Sequence, residues 1–170
     1  MRDATMLQMS KPSEQRVVVG IGEYGVSKHP GGVIVTHALG SCVAVCLWDP
    51  VAGVAGLLHI LLPDSRINLE RAAQQPGAFA DTGIPILFHA AYQQGAVKAR
   101  CQVQLIGGAE VTITGGQAIG KRNVLAARAM LWRNGVKVER EVTGGSQARS
   151  VWLSAGNGEV QVTTAGIRVA

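Results

Sequence analysis

The residues able to do covalent chemistry gather between Thr36 and Pro63. The run Thr36-His37-Ala38-Leu39-Gly40-Ser41-Cys42 places a cysteine directly after a Gly-Ser turn, at the mouth of the apolar stretch Val43 to Trp48. His59 follows 17 residues later, inside a second apolar stretch, Leu57 to Leu62. Asp49-Pro50 reads as a turn that folds the two stretches back as an antiparallel pair. Cys42–Asp49 and Gly53–His59 are similar in length, so pairing carries Cys42 and His59 toward each other across the ladder. A histidine amid apolar residues is by itself more often a core residue than a catalyst. Its alignment with a cysteine at a glycine turn favours nucleophile and base. In that reading an imidazolium lowers the thiol pKa and produces the reacting thiolate.

Zinc is the rival use of Cys42, Cys46, His37 and His59. Residues four apart on one strand lie about 13 Å apart along it. Two thiolates on one zinc sit within roughly 4 Å of each other, so a strand does not supply both. His37, next to Thr36, points to the opposite strand face and reads as structural. Cys46 and Cys101 read as small core residues.

Two glycine motifs imitate nucleotide sites. Gly20-Ile21-Gly22-Glu23-Tyr24-Gly25 has the dinucleotide spacing, but Pro30, Gly31 and Gly32 interrupt the helix that the motif needs. It reads as a glycine-rich strand exit. Gly115-Gly116-Gln117-Ala118-Ile119-Gly120-Lys121-Arg122 follows the phosphate-loop spacing to its lysine, but Arg122 stands where a magnesium-binding hydroxyl belongs.

The elements that must position Cys42 and His59 are mostly short β runs: Val17–Val19, Val33–Val35, Val43–Trp48, Val54–Leu62, Cys101–Ile106, Val111–Ile113, Val136–Val142, Ser150–Leu153 and Glu159–Thr163. Two helices are expected. One is capped by Asp81, with Ile84, Leu87, Phe88 and Ala91 on one stripe, and stops at Gly95. The other is capped by Asn123, carries Val124, Ala127 and Leu131, and ends at Gly135. Asp64 to Gly77 is polar, without periodicity, and long for a connection, as lid loops are. Many strands that mostly do not alternate with helices indicate an α+β layered fold. Residues 1–14 are expected to be disordered and 15–170 to form one domain.

Composition narrows the classes. Apolar residues make up 47% of the 170 and charged ones 16%, enough for a core and against general disorder. Aromatics are only 4%, too few for a base-stacking surface, so no nucleic-acid partner is expected. The net charge of +5 is spread out, which suits an acidic protein partner at least as well as a polyanion. No apolar run is long enough to span a membrane, and residues 1–14 lack the apolar core of a secretory signal, so a cytoplasmic location is expected.

Thr36-x5-Cys42, the string Leu39-Gly40-Ser41-Cys42-Val43-Ala44-Val45, and His59-x3-Pro63 resemble the CheD family of chemoreceptor glutamine deamidases. The resemblance continues through Ala80-Asp81-Thr82, Ile106-Gly107-Gly108-Ala109, Ile119-Gly120-Lys121-Arg122-Asn123, Gly144-Gly145 and Gly158-Glu159-Val160, roughly residues 16 to 163. It implies a catalytic set of Cys42, His59 and Thr36, and an α/β/β sandwich related to deamidating toxins of the cytotoxic necrotising type. It implies hydrolysis of glutamine side chains on chemoreceptors, with methyl esters also cleaved by some members, and a CheC-type phosphatase as partner. One departure is Ala148 before Arg149, where the family usually has glycine.

The implied reaction needs neither metal nor organic cofactor. Cys42 attacks the carboxamide carbon, amides near Gly40, Ser41 and Cys42 hold the oxyanion, and His59 moves the protons. Side-chain oxyanion donors are an open alternative. Thr36 orients the imidazole through its hydroxyl or its backbone. Arg66 and Arg71, on the stretch that leaves the His59 strand, are expected to dock an acidic receptor helix. The free chain is expected to be a monomer. The competing reading is a non-catalytic module that docks on receptors or on the phosphatase.

Overall fold

The computed structural model describes residues 15–110 and 118–170. The chain runs β1 (Gln15–Val18), β2 (Tyr24–Ser27), β3 (Gly32–Leu39), β4 (Val43–Asp49), β5 (Val54–Ile60), α1 (Leu69–Gln74), α2 (Ala80–Gln93), β6 (Gln102–Gly107), α3 (Ile119–Arg133), β7 (Val138–Thr143), β8 (Arg149–Ser154), β9 (Val160–Thr164) and β10 (Ile167–Arg168). Single 3₁₀ turns occupy Ser65–Ile67, Pro76–Ala78 and Lys98–Arg100.

The strands form two sheets. The first has the order β1-β3-β8-β9-β10 and the second β2-β5-β4-β6-β7. β4 and β5 sit inside the second sheet and are buried nearly throughout. That explains their unbroken apolar runs, because each has packing on both faces. Along β4, Ala44 and Cys46 enter a core shared with Ile34, Val151, Leu153 and Val162 of the first sheet. Val43, Val45 and Leu47 enter a second core with Ile84, Leu87, Val124, Ala127 and Leu131 of α2 and α3. Helices, sheet and sheet thus stack as the expected α/β/β layers.

Several local expectations change. The Gly20–Glu23 motif is a turn between β1 and β2, with the Glu23 N–H donating to Gly20 O at 3.1 Å and Gly22 at φ +75°. No helix opens there, which confirms the strand exit. Asp64–Gly77 is not an irregular lid. Asp64 and Asn68 cap the Ser65 turn and α1 with their side chains. Asp81 caps nothing; it lies inside α2 and its carboxylate accepts from Ser65 N and Oγ at 2.9 and 2.6 Å. β2 and β10 are strands that the apolar runs did not announce. The expected strand Val111–Ile113 and the expected disorder of residues 1–14 both lie outside the described residues.

The Asp49-Pro50 turn folds β4 onto β5 as expected. Asp49 is fully buried; its carboxylate accepts from Val51 N, Ala52 N and Val97 N and is gripped by Arg100. Burial alone would raise its pKa, but Arg100 and the three amides hold it well below the usual carboxylate range.

Candidate active site

The register of the central hairpin places the two principal residues. Ala44 pairs with His59 and Val43 with Ile60. Cys42 is two residues before Ala44, so it lies diagonally from His59 on the same face, the one turned toward the first sheet. Such diagonal neighbours have backbones roughly 7–8 Å apart, within reach of a long side chain. The third residue comes from the opposite sheet. Thr36 on β3 is fully buried, and its Oγ1 lies 2.7 Å from His59 Nδ1 and 2.7 Å from Val19 O.

Those two contacts settle where the imidazole proton is. Val19 O only accepts, so the single hydroxyl hydrogen of Thr36 goes to it. The Thr36 oxygen must then accept from Nδ1–H, leaving Nε2 as the bare lone pair. Nε2 is buried and meets no hydrogen-bond partner among the described residues.

The bend before Cys42 is held through its carbonyls. Gly40 and Ser41 form the bend between β3 and β4. Ala109 N donates to Gly40 O at 2.8 Å, Asn123 Nδ2 to Ser41 O at 2.9 Å, and Gly108 N to Cys42 O at 2.7 Å. Three consecutive carbonyls are thereby satisfied, while the N–H groups of Ser41 and Cys42 meet no backbone acceptor among the described residues. Gly107 must be glycine for this approach: a Cβ there would meet Cys42 O at 2.4 Å, and its φ is +112°. Just before the bend, β3 bulges between Thr36 and Leu39 and Ala38 takes φ +58°, a strained value for a residue with a Cβ.

Burial sets the resting charges. It pushes the Cys42 thiol up, against the opposing effect of its own backbone N–H. It pushes His59 down to about 4. Both groups therefore rest neutral, which corrects the expectation of an imidazolium holding a preformed thiolate. Cys46, wholly buried among apolar side chains, is pushed up to about 12 and Cys101 to about 11. Cys46 is the core residue expected; Cys101 is only half-buried, with Sγ 3.4 Å from Val97 O. His37 is exposed on the outer face of β3 as expected, 3.2 Å from Ser150 Oγ and edge-on to Trp152.

Asn123 is the residue that sequence reasoning misplaced. It does not cap α3, which begins at Ile119, but lies inside it and is fully buried. The signal was present: Asn123 falls on the same stripe as Val124, Ala127 and Leu131.

Arg66 and Arg71 are not free rim charges. Arg66 is exposed but forks onto Asp64 through Nε and Nη2. Arg71 holds Gln75 Oε1 at 3.1 Å, Gln75 Nε2 donates to Ile21 O at 2.7 Å, and the neighbouring Gly22 N donates to His59 O at 2.8 Å. Arg149 donates to the carbonyls of Gly107 and Gly144, so the chain is ordered there with alanine at 148.

The sequence is similar to those of known proteins. A family model described as CheD chemotactic sensory transduction matches residues 61–164. "Probable chemoreceptor glutamine deamidase CheD 1" of Syntrophus aciditrophicus (strain SB) is 44% identical over 88% of this chain and 94% of its own. "Chemoreceptor glutamine deamidase CheD" of Thermotoga maritima is 44% identical over 88% and 92%. A Bacillus licheniformis hypothetical protein, YfiH, aligns by structure with a TM-score of 0.45 and 12% identity, over 76% of this chain and 59% of its own, too distant to carry an argument. With a matching family model and relatives this similar along most of its length, the chain belongs to the CheD family.

Proposed function

We propose that this protein hydrolyses glutamine side-chain amides of chemoreceptors to glutamate, with Cys42 as nucleophile, His59 as proton carrier and Thr36 as its orienter. The observation that carries the reading is the hydrogen-bond chain from Val19 O through Thr36 to His59 Nδ1, which leaves Nε2 bare on the face shared with Cys42. Arrival of the amide lets Nε2 take the Cys42 proton as Sγ bonds to the carboxamide carbon. The oxyanion falls to the N–H groups of Ser41 and Cys42 at the Gly40–Ser41 bend. Collapse breaks the C–N bond; the imidazolium gives its proton to the departing nitrogen, which leaves as ammonia. His59, neutral again, takes a proton from water as its oxygen attacks the thioester. Glutamate leaves and the proton returns to Sγ.

Arg66 and Arg71 ride on an ordered segment joined through Gln75 and Ile21 to the turn that binds His59 O, and we assign them to docking an acidic receptor helix. No described helix is long and apolar enough to cross a membrane. The reading places the protein in the cytoplasm as a monomer, acting on receptors from that side, with a CheC-type phosphatase as its regulator. Intact-mass analysis of a purified receptor fragment tests the activity. A gain of about one mass unit per site, amide replaced by acid, is expected with the protein and not with Cys42→Ala. No gain with the active protein on any receptor of its own cell overturns it.

A further inference from the structure

We propose that Asn123 is a positioning residue for this site, a clamp whose side-chain amide sets the separation of Cys42 and His59. The inference rests on the Cys42–His59 reading above. Both Nδ2 hydrogens are used: one reaches Ser41 O and the other Leu61 O, each at 2.9 Å. Ser41 immediately precedes the nucleophile, and Leu61 stands two residues past the base.

The ladder between β4 and β5 gives no bond at this level. Its last pair is Val43 with Ile60, and beyond it Leu61 N turns away to Ala78 O. The Asn123 side chain bridges the two diverging chains at that point. Its orientation is dictated by the carbonyls, because the reversed amide would set Oδ1 against two acceptor oxygens. Oδ1 is buried and has no partner among the described residues. A residue chosen for helix packing alone would be apolar here and leave no orphan oxygen. What an apolar residue lacks is two donors in one plane.

The helix is also brought close deliberately. A Cβ on Gly120 would meet Ala109 O at 2.5 Å and Gly108 O at 2.6 Å. Gly108 and Ala109 are the residues whose amides hold Cys42 O and Gly40 O. The first turn of α3, the Gly107–Ala109 turn and the nucleophile bend thus form one rigid contact.

Alkylation of Cys42 by iodoacetamide reads the clamp without any receptor. In the wild-type background, His59→Ala slows alkylation. In the Asn123→Ala background the same change has almost no further effect, while the variant still melts cooperatively. On a receptor fragment kcat falls by about 100-fold with KM little changed, the size of loss a displacement near 1 Å produces. Asn123→Asp keeps the volume but offers acceptors to two carbonyls, and shows the same uncoupling; it is read if the alanine variant does not fold. If neither folds, the wild-type protein decides: the Asn123 side-chain amide resonances shift when Cys42 is alkylated. A full His59 effect in a folded Asn123 variant, or resonances that do not move, overturns the clamp whatever happens to stability. Wild-type alkylation that ignores His59 removes the Cys42–His59 pairing, and the clamp with it. A clamp intact by alkylation but without receptor turnover counts against the substrate only.

Discussion

His59 Nδ1 donates to Thr36 Oγ1 across 2.7 Å, and the hydroxyl passes its own hydrogen to Val19 O. The hydroxyl therefore acts as an acceptor toward the ring, which leaves the ring's free lone pair on Nε2. Thr36→Val removes the acceptor and strands both Nδ1–H and Val19 O. It is expected to lower kcat by about 100-fold or more while KM changes little, since a mis-set base costs rate rather than binding. Thr36→Ser restores the hydroxyl and most of the rate. Steady-state kinetics on a receptor fragment distinguish the pair; equal losses in both variants would assign Thr36 to packing alone.

Thiol chemistry gives the second expectation. Cys42 is buried at the bend just before β4, on the face it shares with His59, whereas Cys46 is fully enclosed and pushed up to about 12. Brief iodoacetamide treatment with peptide mapping should label Cys42 first, Cys101 next and Cys46 last. Because burial raises the Cys42 thiol, its labelling rate should keep rising past the ordinary thiol range instead of levelling off in mild acid. A plateau from about pH 5 would mean a preformed thiolate.

Acid should destabilise the fold through His59. Its pKa is about 4 when folded against 6.5 in the open chain, lowered by burial. The unfolded chain thus binds the proton first. Stability is complete above about pH 6.5 and falls as the pH drops toward 4, by up to about 3 kcal/mol. His59→Gln lacks this term, so its urea midpoint should fall less than the wild type's over that interval. Identical slopes would mean that His59 is solvated when folded.

Docking through the Ser65 turn and α1 is tested by salt. Reversing Arg66 and Arg71 to Glu should raise the receptor KM and flatten its dependence on ionic strength, because surface charges, even ones with a local partner, act on encounter and are screened. Arg66 already shares its charge with Asp64, so Arg71→Glu alone should account for much of the change. A short glutamine peptide should be hydrolysed as before. Receptor kinetics unchanged at low salt would remove the segment from the docking surface.

What the sequence disclosed follows physical range. The β4–β5 hairpin is local, so the Asp49-Pro50 turn and the lengths on either side were enough to place Cys42 opposite the His59 region. Thr36 came from resemblance, since nothing in its neighbours says that β3 lies in the other sheet. Asn123 was misassigned because asparagine before an apolar stripe is a common cap signal, and only the tertiary contact with Ser41 and Leu61 reveals its use. The thiolate expectation failed for a related reason: sequence shows that a histidine is near, but not that both groups are desolvated. The polar composition of Asp64–Gly77 hid α1, because its side chains cap and crosslink the segment instead of filling a core.

Thr36 is carried by one sheet and His59 by the other, and the chain crosses between them at Gly40-Ser41-Cys42. A molecule with both sheets formed but slipped by one residue would keep its secondary structure and much of its apolar burial, yet would hold no oriented base. Turnover is thus a gauge of sheet-against-sheet registry, finer than circular dichroism. On gentle heating or in low denaturant, activity should vanish before the sandwich comes apart, so a chain that has not finished docking its layers leaves receptors unmodified.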